Sequence, residues 1–542
     1  TRAARRLMAD RRRHRATGLG GVLVAASLLA ACAVDQGVTT QRADLAVGQA
    51  DTTSPAPTTE PATTAPATTE PDATDPVTTD ATTTDSGTTE PAITAPATSG
   101  PVTSTPPGSL LDLGTDKPAR DYDEFIRAAL RDIERWWAEQ YPILYGAPFE
   151  PLRGGLYAGY PEREEPIPGC GPDEETTYDE IATFAAFYCP DGDFMAYDDG
   201  QDGVLYSLTS EFGQAIFGVV LAHEYGHAIQ QRAGVLDADP ATILTEQQAD
   251  CFSGAWVARA ANGEAPGVEL TDQDIRSGLI AIITVRDPIG IDQFSPGGHG
   301  SAFDRVGAFQ VGFTEGSGRC VGLIDDPLPL MPNVFTPGSA DADGNADFGY
   351  ANGQIVFFTV GDLNAFWAAA LAGRSDEPFT PLAVVPFDDP ATVECGDVVG
   401  DEQIGALFCP STRQVFLDDP LARSRYGDFG DFAVAYMLAA AWSEAAQVAI
   451  GSPLRDEDRA LVSDCFSGAW AATLVPGEDG ASAAATSVII EPGDLDEAIQ
   501  TALAVGDDSS SEDVLGSPFE KIASFRAGVL GGVDACRDLV PD

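Results

Sequence analysis

The stretch Ala215-Ile216-Phe217-Gly218-Val219-Val220-Leu221-Ala222-His223-Glu224-Tyr225-Gly226-His227-Ala228-Ile229 is apolar on every side except where His223-Glu224-Tyr225-Gly226-His227 interrupts it. Its length and pattern predict a helix. Residues four apart leave one face of a helix together, so His223 and His227 can offer imidazole nitrogens to a single metal ion. Glu224, one step round, can reach a water on that ion. The 542-residue chain has four histidines, His14, His223, His227 and His299. Two within one helical turn of so histidine-poor a chain point to metal chemistry more than to core packing.

Eighteen residues separate His227 from Glu246, which opens a second apolar, helix-like stretch, Glu246-Gln247-Gln248-Ala249-Asp250-Cys251-Phe252-Ser253-Gly254-Ala255-Trp256. Catalytic zinc takes three protein ligands and keeps a position for water, and two His with one Glu is a known set. Glu246 is therefore the expected third ligand. Asp250, at i+4 on the same face, is placed to accept the outer N–H of a ligating histidine and fix its tautomer.

On these residues, together with His299-Gly300-Ser301 and Arg305, the chain resembles the neutral zinc metallopeptidase family of bacteria over about residues 120–325. The arrangement also looks like the wider gluzincin class, in which a Glu on a second helix is the third ligand. The resemblance implies a zincin-like α+β domain, one Zn2+ and hydrolysis of peptide bonds. It departs from the family's pattern at Ala228, where a histidine directly after the motif is common.

In metal-assisted hydrolysis of this kind zinc lowers the pKa of water and polarises the scissile carbonyl, while Glu224 takes a proton from the water and hands it to the leaving amine. His299 lies in a loop, Ser295-Pro296-Gly297-Gly298-His299-Gly300-Ser301, that runs into a helix Ser301 can cap. A histidine there can donate to the developing oxyanion if the loop reaches the metal. The alternative is a surface-loop histidine with no part in the chemistry.

Seven arginines, from Arg2 to Arg15, precede an apolar stretch from Gly18 to Ala31 that is short for a bilayer span and reads as a signal peptide, residues 1–31, with Met8 as a candidate initiator. Leu29-Ala30-Ala31-Cys32 resembles a bacterial lipobox, which implies lipid modification of Cys32 and a protein anchored on the outer face of the cell membrane. Residues 32–110 are dominated by Thr, Pro, Ala and acidic side chains and read as a disordered stalk. The formal charge of −54 becomes about −60 without residues 1–31, which hold seven Arg and one Asp. So acidic a chain argues against nucleic acid as a partner.

The remaining eight cysteines fall into two sets of four, Cys170, Cys189, Cys251 and Cys320, then Cys395, Cys409, Cys465 and Cys536. Other features recur with them. Asp132-x-x-x-Trp136-Trp137 returns as Asp362-x-x-x-Phe366-Trp367, and Asp250 to Trp256 returns as Asp464 to Trp470. An even count per copy in an exported protein argues for disulfides within each copy. Sequence does not fix connectivity. Pairing Cys170 with Cys189 and Cys251 with Cys320, repeated as Cys395 with Cys409 and Cys465 with Cys536, is favoured because the first pair brackets a short loop. Zinc binding by cysteine is disfavoured by the absence of any C-x-x-C spacing.

The second copy keeps this framework and loses the chemistry. Ala440, Ala441 and Glu444 stand where His223, Glu224 and His227 do, Ala460 replaces Glu246, and Leu515 replaces His299, while Asp464 still matches Asp250. The turn Asp341 to Asp347 looks like a calcium loop, but its glycine falls at the fourth position instead of the sixth.

The expected organisation is thus a zinc metallopeptidase domain at 111–330, a linker at 331–350 and a degenerate copy at 351–542, the two copies packing on one another. Each copy is expected to be α+β: a helix (122–140 in the first), short strands around 151–160 and 188–197, then helices. The expected activity is zinc-dependent cleavage of peptide or protein substrates. A non-catalytic envelope scaffold that retains a metal site is the alternative, and an intact Glu224 favours the enzyme.

Overall fold

The computed structural model describes residues 111–541 apart from 172–174, 289–293, 296, 332–347, 374–377, 396–404, 476–492 and 506–515. The expected signal peptide, Cys32, the stalk, the 341–347 turn and Leu515 lie outside the described residues. Short 3-10 turns aside, the first half runs β1 (Leu111–Asp112), α1 (Asp123–Tyr145), β2 (Gly155–Gly159), β3 (Ile167–Pro168), β4 (Glu175–Thr176), α2 (Tyr178–Phe184), β5 (Ala186–Cys189), β6 (Phe194–Asp198), α3 (Val204–Phe212), α4 (Ala215–Arg232), α5 (Thr242–Ala261), α6 (Asp272–Thr284), α7 (Ala302–Glu315) and α8 (Ser317–Val321). The second half runs α9 (Gln354–Ala370), β7 (Val384–Phe387), β8 (Ala406–Cys409), β9 (Gln414–Asp418), α10 (Asp419–Asp428), α11 (Asp431–Ala449), α12 (Asp456–Ala471), α13 (Asp494–Val505) and α14 (Pro518–Arg537). The class is α+β, as the order of helical and alternating stretches predicts.

Two boundaries differ from the sequence expectation, each for a local reason. Helix α1 continues past residue 140 to Tyr145. It stops where Gly146 takes a left-handed conformation, φ 69°, and returns its N–H to the Pro142 carbonyl. The expected strand at 188–197 is two strands, β5 and β6. Pro190-Asp191-Gly192-Asp193 turns the chain between them, with the Asp193 N–H on the Pro190 carbonyl at 3.3 Å, and β5 returns antiparallel to β6.

Strand β2 lies parallel to β1 and to β6, so the sheet order is β1-β2-β6-β5. In the second half β7 lies parallel to β9 and β8 antiparallel to it. The halves match in further details. Trp256 Nε1 donates to Asp132 at 3.1 Å and Trp470 Nε1 to Asp362 at 2.8 Å, each tying a late helix to the first. Disulfides join Cys170 to Cys189 and Cys251 to Cys320, and likewise Cys395 to Cys409 and Cys465 to Cys536.

The tightest packing in each half is a glycine-on-glycine helix crossing. A Cβ on Gly254 would strike the Phe309 carbonyl and one on Gly312 the Cys251 carbonyl, so α5 and α7 touch backbone to backbone. Gly468 and Gly528 bring α12 and α14 together in the same way, against the Phe525 and Cys465 carbonyls. One apolar core runs through both halves. At their junction the rings of Phe313 and Phe519 lie 4.8 Å apart, and Gln310 Nε2 donates to the Phe519 carbonyl at 2.8 Å.

Candidate metal centre

Helix α4 is buried along nearly its whole length, which explains its unbroken apolar character. It crosses α5 at Gly226, where an added Cβ would sit 3.0 Å from the Ala249 Cα. That close approach sets Glu246 and Asp250, three residues before and one after Ala249, against His223 and His227. The motif's glycine is thus a spacer that lets two helices supply one site.

The three expected ligands converge. Nε2 of His223 and Nε2 of His227 are 3.2 Å apart. Glu246 places Oε2 3.2 Å from the first and Oε1 3.2 Å from the second. A tetrahedral ion with bonds of 2.0–2.1 Å needs its donors about 3.3 Å apart. The two imidazole–carboxylate approaches lack hydrogen-bond geometry, and both Glu246 oxygens are buried without a hydrogen-bond partner. Side chains gathered on a common point are what a cation requires.

The outer nitrogens set the tautomers that such a site needs. His223 Nδ1 lies 2.8 Å from Asp250 Oδ1. Asp250 is clamped in turn by Arg305 of α7, whose Nε and Nη2 donate at 2.8 and 2.9 Å. His227 Nδ1 lies 2.9 Å from Gln230 Oε1, and Gln230 Nε2 donates to the Thr245 carbonyl at 2.7 Å, so the amide oxygen faces the ring. With both Nδ1 atoms donating outward, the inward Nε2 atoms of neutral rings carry lone pairs, the form a metal binds.

Electrostatics favour positive charge in the site, which a bound cation supplies in place of the protons of the two imidazoles. Burial opposes the imidazolium of His223, but Asp250 and Glu246 outweigh it and push its pKa up to about 10. Burial likewise opposes the Glu246 carboxylate, yet His227 and His299 hold it well below the ordinary range. Two carboxylates facing two imidazoles make the pocket demand positive charge at its centre. The residues fit zinc: mixed nitrogen and oxygen donors, three in number, with oriented outer partners.

Glu224 follows His223 and is 1% exposed, and neither of its carboxylate oxygens has a hydrogen-bond partner. A buried carboxylate without partners is costly for folding and marks a group kept for a ligand or a reaction. His299 is also buried and lies within electrostatic reach of Glu246. Asp287 anchors its loop, accepting the His299 N–H at 2.9 Å and the Gly300 N–H at 2.8 Å. Gly300 has φ 99°, and a Cβ there would press on Ile243 Cδ1 at 2.6 Å, so the loop needs glycine at that point. Ser301 caps α7 by accepting the Asp304 N–H. Gln230 and Asp287 are functional positions that motif reading misses. A surface concavity of about 510 Å3, lined by Glu124, Arg131, Asp132 and Gln214 among others, contains none of these groups.

The corresponding place in the second half holds no such set. Ala440, Ala441, Glu444 and Ala460 line a cavity of about 60 Å3 beside Asp464 and Lys521. Asp464 receives Lys521 Nζ at 2.8 Å and the Tyr436 hydroxyl at 2.7 Å, where Asp250 has Arg305 and His223. Burial pushes the Glu444 carboxyl up to about 7.

A family model described as "Putative neutral zinc metallopeptidase" matches residues 331–521. The chain is similar to the neutral zinc metallopeptidases. The matched span lies in the second half, outside the 120–325 stretch that carries the motif residues, and it holds framework residues such as Asp464 to Trp470. Among curated proteins, the uncharacterized protein Rv2575 of Mycobacterium tuberculosis is 34% identical over 173 residues, covering 27% of this chain and 55% of the relative. The uncharacterized protein Mb2605 of Mycobacterium bovis matches to the same extent. The uncharacterized protein YpfJ of Escherichia coli K12 is 27% identical over 218 residues, covering 36% of this chain and 68% of the relative. The chain thus spans about half the length of the mycobacterial relatives it matches. No solved structure matches it.

Proposed function

We propose that residues 111–330 form a zincin-like peptidase domain that holds one zinc ion on His223, His227 and Glu246 and hydrolyses peptide bonds of peptide or protein substrates. The observation that carries this reading is the meeting of two imidazole Nε2 atoms, 3.2 Å apart, with the Glu246 carboxylate, whose two oxygens each lie 3.2 Å from one of them, beside the partnerless Glu224. Zinc bound there supplies Lewis acidity at the scissile carbonyl. Glu224 is the general base: it accepts a proton from the attacking water and returns it to the leaving amine. Asp250 and Gln230 keep the two imidazoles in the metal-binding tautomer. His299, held by Asp287 near Glu246, donates to the carbonyl oxygen as charge develops there.

Residues 351–542 are read as a degenerate tandem copy. The paired disulfides, the Trp–Asp ties and the two glycine crossings support a shared ancestry, and Ala440, Ala441, Glu444 and Ala460 support the loss of metal and base. The test is direct. Purified protein lacking residues 1–31 is expected to carry about one zinc per chain and to cut an unfolded protein, losing the activity to a chelator and regaining it with zinc. A zinc-replete protein that leaves an unfolded substrate intact would instead be a metal-retaining scaffold.

We further propose that the site stands outside the cytoplasm on a lipid-anchored stalk. Leu29-Ala30-Ala31-Cys32 and the Thr/Pro-rich stretch that follows support this. Among the described residues no helix is long and apolar enough to cross a membrane. The full chain is expected to sediment with membranes, and Cys32→Ala to appear in the soluble fraction or as unprocessed precursor. An unlipidated N-terminus elsewhere, read by mass spectrometry, would reject the anchor.

A further inference from the structure

We propose that Asp496, in the second half, is a positioning residue for the metal centre in the first, so that the two halves make one catalytic unit; this rests on the reading of His223, His227 and Glu246 as a zinc site. A helix begins with four backbone N–H groups that no helical carbonyl can accept. In α7 these belong to Ser301, Ala302, Phe303 and Asp304, and Ser301 Oγ takes the Asp304 N–H at 3.1 Å. Those of Ala302 and Phe303 go to the second half. Ala302 N–H donates to Asp496 Oδ2 at 3.1 Å and Phe303 N–H to Asp496 Oδ1 at 3.0 Å. A carboxylate at this end also meets the positive pole of the helix.

The grip extends backwards into the His299 loop. Asp287 takes the N–H groups of His299 and Gly300. Its neighbour Arg286 lies with Nε 3.1 Å from Asp496 Oδ2, close enough for an ion pair though poorly aligned for a hydrogen bond. Four of the five N–H groups from His299 to Phe303 are thereby held by two carboxylates, one from each half, with Arg286 between them. Arg526 of α14 adds a second hold: it donates to the Phe303 carbonyl and its guanidinium lies 4.1 Å from the Phe303 ring centre. It fills the space that Gly307 leaves by having no Cβ.

What this segment carries explains the consequence. His299 sits at its start, and one turn into the helix Arg305 forks onto Asp250, which orients His223. Movement of the first turn of α7 displaces both at once. Without Asp496, two buried N–H groups lose their acceptor and Arg286 loses its counter-charge, so the first turn of α7 loosens.

The experiment compares Asp496→Ala and the near-isosteric Asp496→Asn with Gln310→Ala in the protein lacking residues 1–31. Gln310 breaks another bond between the halves, further along the same helix, without touching residues 299–305. Both Asp496 variants are expected to weaken Zn2+ binding, measured by competition with a chromogenic chelator, by about tenfold or more. They should alter the visible absorption of the Co2+-loaded protein and lower kcat more than they raise KM, with partial recovery in Asp496→Glu. Gln310→Ala should lower the melting temperature and leave the metal affinity and the Co2+ spectrum as in the unaltered protein. Equal effects of Asp496→Asn and Gln310→Ala on metal affinity, or none from either, would reduce Asp496 to a tie between halves. An unaltered protein that takes up no Zn2+ would overturn the zinc reading, and the proposal with it. Normal Zn2+ uptake that is the same in all variants would overturn the proposal alone.

Discussion

Glu224→Gln protein is expected to bind zinc at about one ion per chain, as the unaltered protein does, while losing roughly 10^2- to 10^4-fold in kcat/KM. The substitution keeps shape and size and removes only the ability to take a proton. Neither Glu224 oxygen is engaged in a hydrogen bond, so the exchange breaks no network, and the ligands His223, His227 and Glu246 keep their places. A partnerless buried carboxylate costs stability, so the melting temperature should hold or rise, a gain in stability that comes with lost function. Metal content, peptide hydrolysis and thermal melting on the same preparation check the three parts together. Undiminished hydrolysis at full zinc loading would remove Glu224 from the mechanism. A matching loss of zinc would show instead that its charge serves the ion and not the water.

The parts of this site that sequence makes legible are those governed by helical period. His223 and His227 share a face because they are four apart, and Glu246 and Asp250 repeat that spacing on α5. Gln230 obeys the same rule, three residues beyond His227, and its amide could be suspected from that register. Nothing comparable points to Asp287, which meets His299 across a loop, or to Asp496, which reaches α7 from nearly two hundred residues away. Contacts between distant loops and helix ends leave no periodic trace.

The fold shows the same division. Long apolar stretches such as Ala215 to Ile229 announce their helices, and the α+β class follows from the order of elements. The hairpin of β5 and β6 is harder to see, because continuous apolar runs, buried at every position, flank Pro190-Asp191-Gly192 and show no alternation. There the turn chemistry of proline, aspartate and glycine marks the break. The extension of α1 through Pro142 has a similar lesson. Pro142 removes one helical hydrogen bond without ending the helix, and the stop is set four residues later by Gly146.

His227→Ala is expected to take zinc from about one ion per chain to about none and to abolish hydrolysis, since a site with three protein ligands does not hold the ion on two. The loss goes beyond one nitrogen. Gln230 Oε1 is left facing a void, and the Glu246 carboxylate loses the neighbour that did most to stabilise its charge. A result of zero is informative about both halves, because His227 lies only in the first. The second half presents Ala440, Ala441, Glu444 and Ala460 where a ligand set and base would stand, and Lys521 already neutralises Asp464. Its buried carboxylate trio, Asp431, Asp494 and Glu497, offers oxygen donors alone, which suit hard cations better than zinc. Residual zinc near one per chain in the variant would therefore place the bound ion outside the His223, His227 and Glu246 triangle. Zinc near zero with the fold intact, read by circular dichroism and melting, would leave that triangle as the one place in the chain that holds it.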